Sequence, residues 1–145
     1  MPTVTPFLMF EANAEEAVDF YVSIFPEARV ISRSPLSFEL QGQRLSAFNG
    51  GPHFRFSEAV SLFVNCADQA EVDRYWTALL ADGGQQSQCG WLKDRFGLSW
   101  QIIPEALMRY LNDPDRAAAD RVLQAMLRMG KIDVATLDRA YAGET

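Results

Sequence analysis

Shifted against itself by 55 residues, this chain superimposes its own punctuation. Asn13 falls on Asp68, Glu16 on Glu71, Phe20-Tyr21 on Tyr75-Trp76, Gly42 on Gly97 and Leu45 on Trp100. The pairs make physical sense. Asn13 and Asp68 are N-cap types, each followed three residues later by a glutamate, as a capping box requires. Two aromatics then follow on each expected helix, and a glycine punctuates the hairpin before each last strand. The offset holds without insertion or deletion, so the chain carries two copies of one supersecondary module.

The first copy reads as a strand over 4–11 and a helix over 14–25, closed by Pro26. Strands over 29–34, 36–40 and 44–49 complete it. The second copy reads as a strand over 60–65 and a helix from the Asp68 cap through Ala81, stopped at Gly83-Gly84. A weak strand over 85–88, a better one over 89–93 and a last one over 98–103 follow. Beyond Pro104 the pattern turns helical, over 105–111, 115–129 and from Asp133 through Ala142. Asp113 and Pro114 stand at N-cap and N1 of the middle helix. Val122, Leu123, Met126, Leu127 and Met129 form an apolar stripe there, which packs on the domain or on a second subunit. The expected class is α+β: paired βαβββ modules, 1–50 and 57–104, forming half-open mixed sheets around a cavity. A helical extension, 105–145, completes one domain of 145 residues.

A formal charge of −6 and a pI near 4.7 repel phosphate backbones, so nucleic acid is not an expected partner. No apolar run approaches the ~20 residues of a membrane span, and no leader pattern opens the chain, so a cytoplasmic location is expected. Two cysteines, Cys66 and Cys89, are too few for a disulfide framework, and one histidine, His53, is too few for a histidine-based metal centre in one protomer.

Four segments, PFLMFEANAEEAVDFY (6–21), NGGPHFRF (49–56), CGWLKDRFGLSWQIIP (89–104) and AMLRMGKIDVATLDRAY (125–141), carry a resemblance. The duplicated chain resembles the PhnB-like branch of the vicinal oxygen chelate superfamily, often labelled 3-demethylubiquinone-9 3-methyltransferase. The resemblance implies that each module curls around a cavity and that pairing of modules, commonly across a homodimer, closes the site. In metal-using relatives a first-strand histidine lies seven residues before the helix cap, and a glutamate lies on the last strand. Those positions hold Pro6 and Ser61, and Ser46 and Gln101. Proline offers no donor, and serine and glutamine are poor neutral ligands. The expectation is therefore no metal and no cofactor. Nor does a glycine-rich strand-to-helix turn mark an adenosyl-cofactor site.

The candidate ligand-binding residues are Pro6, Ser46, Asn49, Ser61, Trp91 and Gln101. Asn49 and Gln101 both donate and accept, and Trp91 supplies apolar area. Strand alternation sends Trp100 away from Gln101, to the core. His53 and Cys89 are weak catalytic candidates, without a carboxylate or base beside them. Asp94, between Lys93 and Arg95 at a hairpin, reads as a solvated turn residue, and Glu11 as an exposed strand end. Three functions fit: a metal-independent binder of a small organic ligand, an enzyme using His53 or Cys89, or a structural or regulatory dimer with a vestigial cavity. The first is the reading adopted.

Overall fold

The computed structural model describes residues 1–144. It divides into two compact units, Met1–Phe56 and Ser57 onward. In the first, β1 (Phe7–Phe10) leads into α1 (Ala14–Ile24), followed by β2 (Ala28–Arg33), β3 (Leu36–Leu40) and β4 (Gln43–Asn49). The sheet order is β1-β4-β3-β2, with β1 parallel to β4 and the other neighbours antiparallel. The second unit repeats this as β5 (Leu62–Cys66), α2 (Gln69–Leu80), β6 (Gln85–Gln86), β7 (Trp91–Lys93) and β8 (Ser99–Pro104), in the order β5-β8-β7-β6. The expected βαβββ duplication is present, as two four-stranded mixed sheets.

Alternation sorts each sheet into two faces. Leu8, Phe10, Phe38, Leu45 and Ala47 are buried with Ala17, Val18 and Tyr21 of α1. Leu92, Trp100 and Ile102 are buried with Val72, Trp76 and Leu79 of α2. The β3–β4 hairpin turns on Gln41 and Gly42, both at positive φ, which the right-handed strand twist favours in a two-residue loop.

Helix entry differs between the copies. Asp68 accepts from Glu71 N at 3.0 Å while the Glu71 carboxylate accepts from Ala67 N at 2.8 Å, a capping box displaced by one residue. Asn13 stands at the N-cap of α1 but makes no side-chain cap bond. Instead Asn49 Oδ1, from the end of β4, accepts the Ala14 N–H at 2.8 Å. The cap expected from within the helix comes from a strand 35 residues away.

The repeat is also not uniform. Leu8 sits beside Ala47, whereas Val64 sits beside Ile102. The last strands keep the offset of 55, but the first strands match at 56. The turn from β5 to α2 is one residue shorter than the turn from β1 to α1, which absorbs the difference.

Three helices close the second unit: α3 (Glu105–Leu111), α4 (Arg116–Met126) and α5 (Val134–Tyr141). Ile103 from β8 is buried with Leu107, Val122, Ile132 and Leu137. The tail thus packs on its own module. Leu127 is half-exposed and leaves the expected stripe, because α4 stops at Met126. The residues beyond turn away so that the carbonyls of Met129 and Gly130 accept the N–H groups of Cys89 and Gly90, both at 2.8 Å. Gly90 has φ +84, and a Cβ there would lie 2.7 Å from Ile103 Cδ1, so only glycine fits beneath the docked tail. At the start of α4 the cap is Asp115, not Asp113. Asp113 Oδ1 accepts from Asp115 N to form a turn, and Asp115 Oδ1 then accepts from Ala118 N at 3.1 Å.

Candidate functional site

Each sheet has a second face that its own α1 or α2 does not cover. On the first sheet the ladder runs Phe7–Ser46–Ser37–Ser32 across all four strands. Phe48 lies on the same face beside Met9, with its ring 6.5 Å from that of Phe7. Phe7 and Phe48 are 61% and 57% exposed, unusual for phenylalanine within a sheet. Ser46 donates its N–H to the Pro6 carbonyl at 3.0 Å. Pro6 itself precedes β1 and has the parity of Leu8 and Phe10, so the side chain next to Ser46 is Phe7.

On the second sheet the corresponding row is Phe63–Gln101–Trp91. Phe63 is 42% exposed, while Trp91 and Gln101 are half-buried. Gln101 Nε2 donates to Ser61 Oγ at 3.0 Å. That bond fixes the amide: Oε1 remains an acceptor, and the Ser61 hydroxyl proton remains to donate. Ser61, Trp91 and Gln101 therefore share one face, and the sequence alone did not reveal the phenyl ring of Phe63 on the other side of Gln101 from Trp91. Its signal is the parallel register, which places Phe7 beside Ser46 and Phe63 beside Gln101. The first-strand positions opposite the last-strand ones are thus two phenylalanines.

This arrangement does not fit a metal. Phenylalanine has no donor atom, and serine and a serine-bonded glutamine make a poor set beside the thiolate, imidazole and carboxylate that hold divalent ions. Among the described residues no group of three or more His, Cys, Asp or Glu is placed to hold one. An adenosyl cofactor of the doubly wound type does not fit either. The β1–α1 and β5–α2 turns contain no glycine, and each sheet has a single parallel pair.

The remaining candidates fall elsewhere. Asn49 spends its carbonyl on the α1 cap. His53 and Glu11 are exposed. Cys89 is not in a strand but in a turn at φ +60, where its N–H docks the tail. Burial pushes the Cys66 thiol up to about 12, with Glu71 and Asp68 adding to the shift, so it is a core residue and no nucleophile. Asp94 is corrected outright. It is 3% exposed and accepts from Trp100 Nε1 at 2.9 Å, Phe96 N at 2.9 Å and Leu98 N at 3.1 Å. The hairpin folds its carboxylate inward to satisfy a buried indole, which neighbouring charges in the sequence do not reveal.

One open cleft of about 560 Å³ lies in the first unit, where the start of α1 meets the ends of β2, β3 and β4. Ala14, Pro35, Leu36 and Ala47 form its apolar lining, with Glu15, Arg33, Phe48 and Asn49 around them. Arg33 bonds Asp19 at 2.9 Å, and that bond, with a weaker contribution from Glu15, holds the guanidinium pKa above its ordinary value.

Two βαβββ units, each a mixed sheet with one face covered by its own helix and aromatic side chains exposed on the other, define a protein of the glyoxalase-fold class. The sequence profile described as 3-demethylubiquinone-9 3-methyltransferase matches residues 2–37 and 33–103. A putative 3-demethylubiquinone-9 3-methyltransferase, the PhnB protein from Bacillus cereus, is 31% identical over 71% of this chain and 99% of its own, with a TM-score of 0.65. The chain belongs to this PhnB-like family. A protein from Pseudomonas aeruginosa shares the fold, at 22% identity over 72% of this chain and 98% of its own, with a TM-score of 0.58. A glyoxalase/bleomycin resistance protein from Albidiferax ferrireducens aligns at 14% identity over 68% of this chain and 95% of its own, with a TM-score of 0.46. No curated protein matches the chain. No helix among the described residues is long and apolar enough to cross a membrane.

Proposed function

We propose that this chain is a metal-independent binder of a small organic molecule, held on the open sheet faces of a cytoplasmic homodimer. The observation that carries the reading is the Phe63–Gln101–Trp91 row. Two rings flank an amide oriented by Ser61, so apolar area lies beside one fixed acceptor and one hydroxyl donor. Ligand sites combine these elements: mostly apolar walls with a few placed polar groups. The exposed Phe7 and Phe48 extend the same logic to the first sheet. A second copy of the chain is the partner proposed to cover such faces, since closed two-fold pairing hides apolar area and strand edges at once. The methyl transfer named in the family description is not part of this reading, because neither the β1–α1 nor the β5–α2 turn carries the glycine-rich loop that holds an adenosyl group on a doubly wound sheet.

Tryptophan emission tests it. Trp76 and Trp100 are 5% and 2% exposed, so the half-buried Trp91 is the indole that a ligand on the open face can reach. Titration with a panel of hydroxylated and carbonyl-bearing aromatic compounds should give saturable changes in emission for at least one member. Trp91→Phe should abolish the change. Gln101→Ala should weaken binding by about 10-fold, the effect of losing about 1.4 kcal/mol. A compound that binds with equal affinity to the parent and to Gln101→Ala, leaving Trp91 emission unchanged, would refute the assignment.

A further inference from the structure

The open face of the first sheet changes character along its strands. At one end stand the exposed rings of Phe7 and Phe48. In the middle, Ser46, Ser37 and Ser32 pair across β4, β3 and β2, which sets three hydroxyls side by side at the ~4.8 Å spacing of neighbouring strands. Ser37 is 5% exposed and keeps its Oγ within reach of the surface. No hydrogen bond joins that oxygen to another described residue. Buried hydroxyls are ordinarily paired, so this one is a donor free to meet an incoming acceptor. At the other end the ladder continues as Arg44–Glu39–Arg29. Glu39 bonds Arg29 at 3.2 Å, and Arg44 makes no ion pair among the described residues. These three side chains sum to one positive charge, on a chain whose formal charge is −6.

We infer that this face takes a small organic carboxylate, its oxygens on the Ser37 and Ser46 hydroxyls with Arg44 reaching over them, its apolar body on Phe7 and Phe48. The inference rests on the open-face reading and adds to it, for the first sheet, the charge of the ligand. The spacing suits such a molecule. Two residues along β4 separate Ser46 from Arg44 on one side and from Phe48 on the other, ~6.6 Å each way. An arginine side chain spans the first interval, and a short alkyl chain ending in a ring spans the second. A carboxylate accepts from several donors at once and gains most from a charged one. A cation would meet two guanidiniums and a carboxylate already bonded to Arg29. A neutral alcohol would gain the rings but leave Arg44 unused.

Three probes of similar shape separate these cases: 3-phenylpropionate, 3-phenylpropanol and 3-phenylpropylammonium. Titrations followed by amide chemical shifts in the ¹⁵N-labelled full chain locate binding as well as measure it. The propionate should shift Phe7, Ser37, Ser46 and Phe48 and bind about 5- to 10-fold tighter than the alcohol at low salt. Arg44→Gln, at an exposed position, should bring the two to equal affinity, and Arg44→Lys should restore part of the preference. Ser37→Ala should weaken the propionate by about 5-fold. Glu39→Gln, which removes the competing carboxylate, should tighten it. Equal binding of propionate and alcohol on this face would overturn the carboxylate assignment and leave the open-face reading standing. Ammonium binding as tight as the propionate would overturn it too, as would a preference that survives Arg44→Gln. The absence of saturable shifts on this face would also overturn it, while the Trp91 titration decides the open-face reading separately.

Discussion

A chain truncated after Pro104 is expected to aggregate, or to unfold without a cooperative transition. The tail is not an appendage to a finished module. Its removal takes away Leu107, Val122, Ile132 and Leu137, all 2% exposed or less, and bares Ile103 at the end of β8. Burying such side chains contributes about 1.5–3 kcal/mol each, so the loss rivals the whole ~5–15 kcal/mol net stability of a domain. Backbone pairing goes as well. Cys89 and Gly90 lose the carbonyls of Met129 and Gly130, and Gln69 loses both its bond to the Ile132 carbonyl at 2.9 Å and the Val134 N–H at 2.7 Å. Light scattering and thermal denaturation followed by circular dichroism read the outcome. A monodisperse truncation with a sharp melt would show that α3, α4 and α5 are dispensable to the second module.

Asp94→Ala should be the most damaging single substitution of a polar residue, costing about 3–4 kcal/mol and lowering Tm by roughly 10 °C. Alanine at this position leaves the buried indole N–H of Trp100 and the amides of Phe96 and Leu98 without their acceptor. Buried donors left unpaired cost more than the bonds gain when made. Asp94→Asn keeps Oδ1 for the two amides and should cost less. Pairing Asp94→Ala with Trp100→Phe removes the orphaned indole donor, so the double variant should be more stable than the sum of the two single losses predicts. A loss under 1 kcal/mol in Asp94→Ala, measured by urea denaturation, would show that water replaces the carboxylate.

The contrast between those two sites and the repeat explains what was legible in the chain. Local signals fixed by neighbours three or four residues away came through: the Asp68–Glu71 box, the helix-facing rows around Leu45 and Trp100, and the β3–β4 hairpin, expected around Gly42-Gln43 and found one residue earlier at Gln41-Gly42. Features decided across the fold did not. Asn13 has the chemistry of a cap, but Asn49 reaches the helix start from the neighbouring strand and takes the role. Asp94 lies between two cations in sequence, yet its partner is an indole six residues on. The expected first-strand neighbours of Ser46 and Gln101 were misplaced for the same reason, Pro6 by one residue and Ser61 by two. Counting back from the helix caps assumes equal turns, whereas the β5–α2 turn is shorter, and only the parallel pairing reveals Phe7 and Phe63 as the neighbours of Ser46 and Gln101. Leu127 followed the helical period of the stripe, but the chain leaves that helix to dock at Cys89 and Gly90.

The central claim is that aromatic side chains have replaced metal ligands on the open faces, leaving sites for an organic molecule. Native mass spectrometry of the untagged, full-length protein tests it in one measurement. The expected spectrum is that of two chains, with any added mass belonging to an organic compound that dissociates on mild activation and is lost in Gln101→Ala. An added mass of one zinc, nickel or iron ion per chain, retained in Gln101→Ala, would contradict the account.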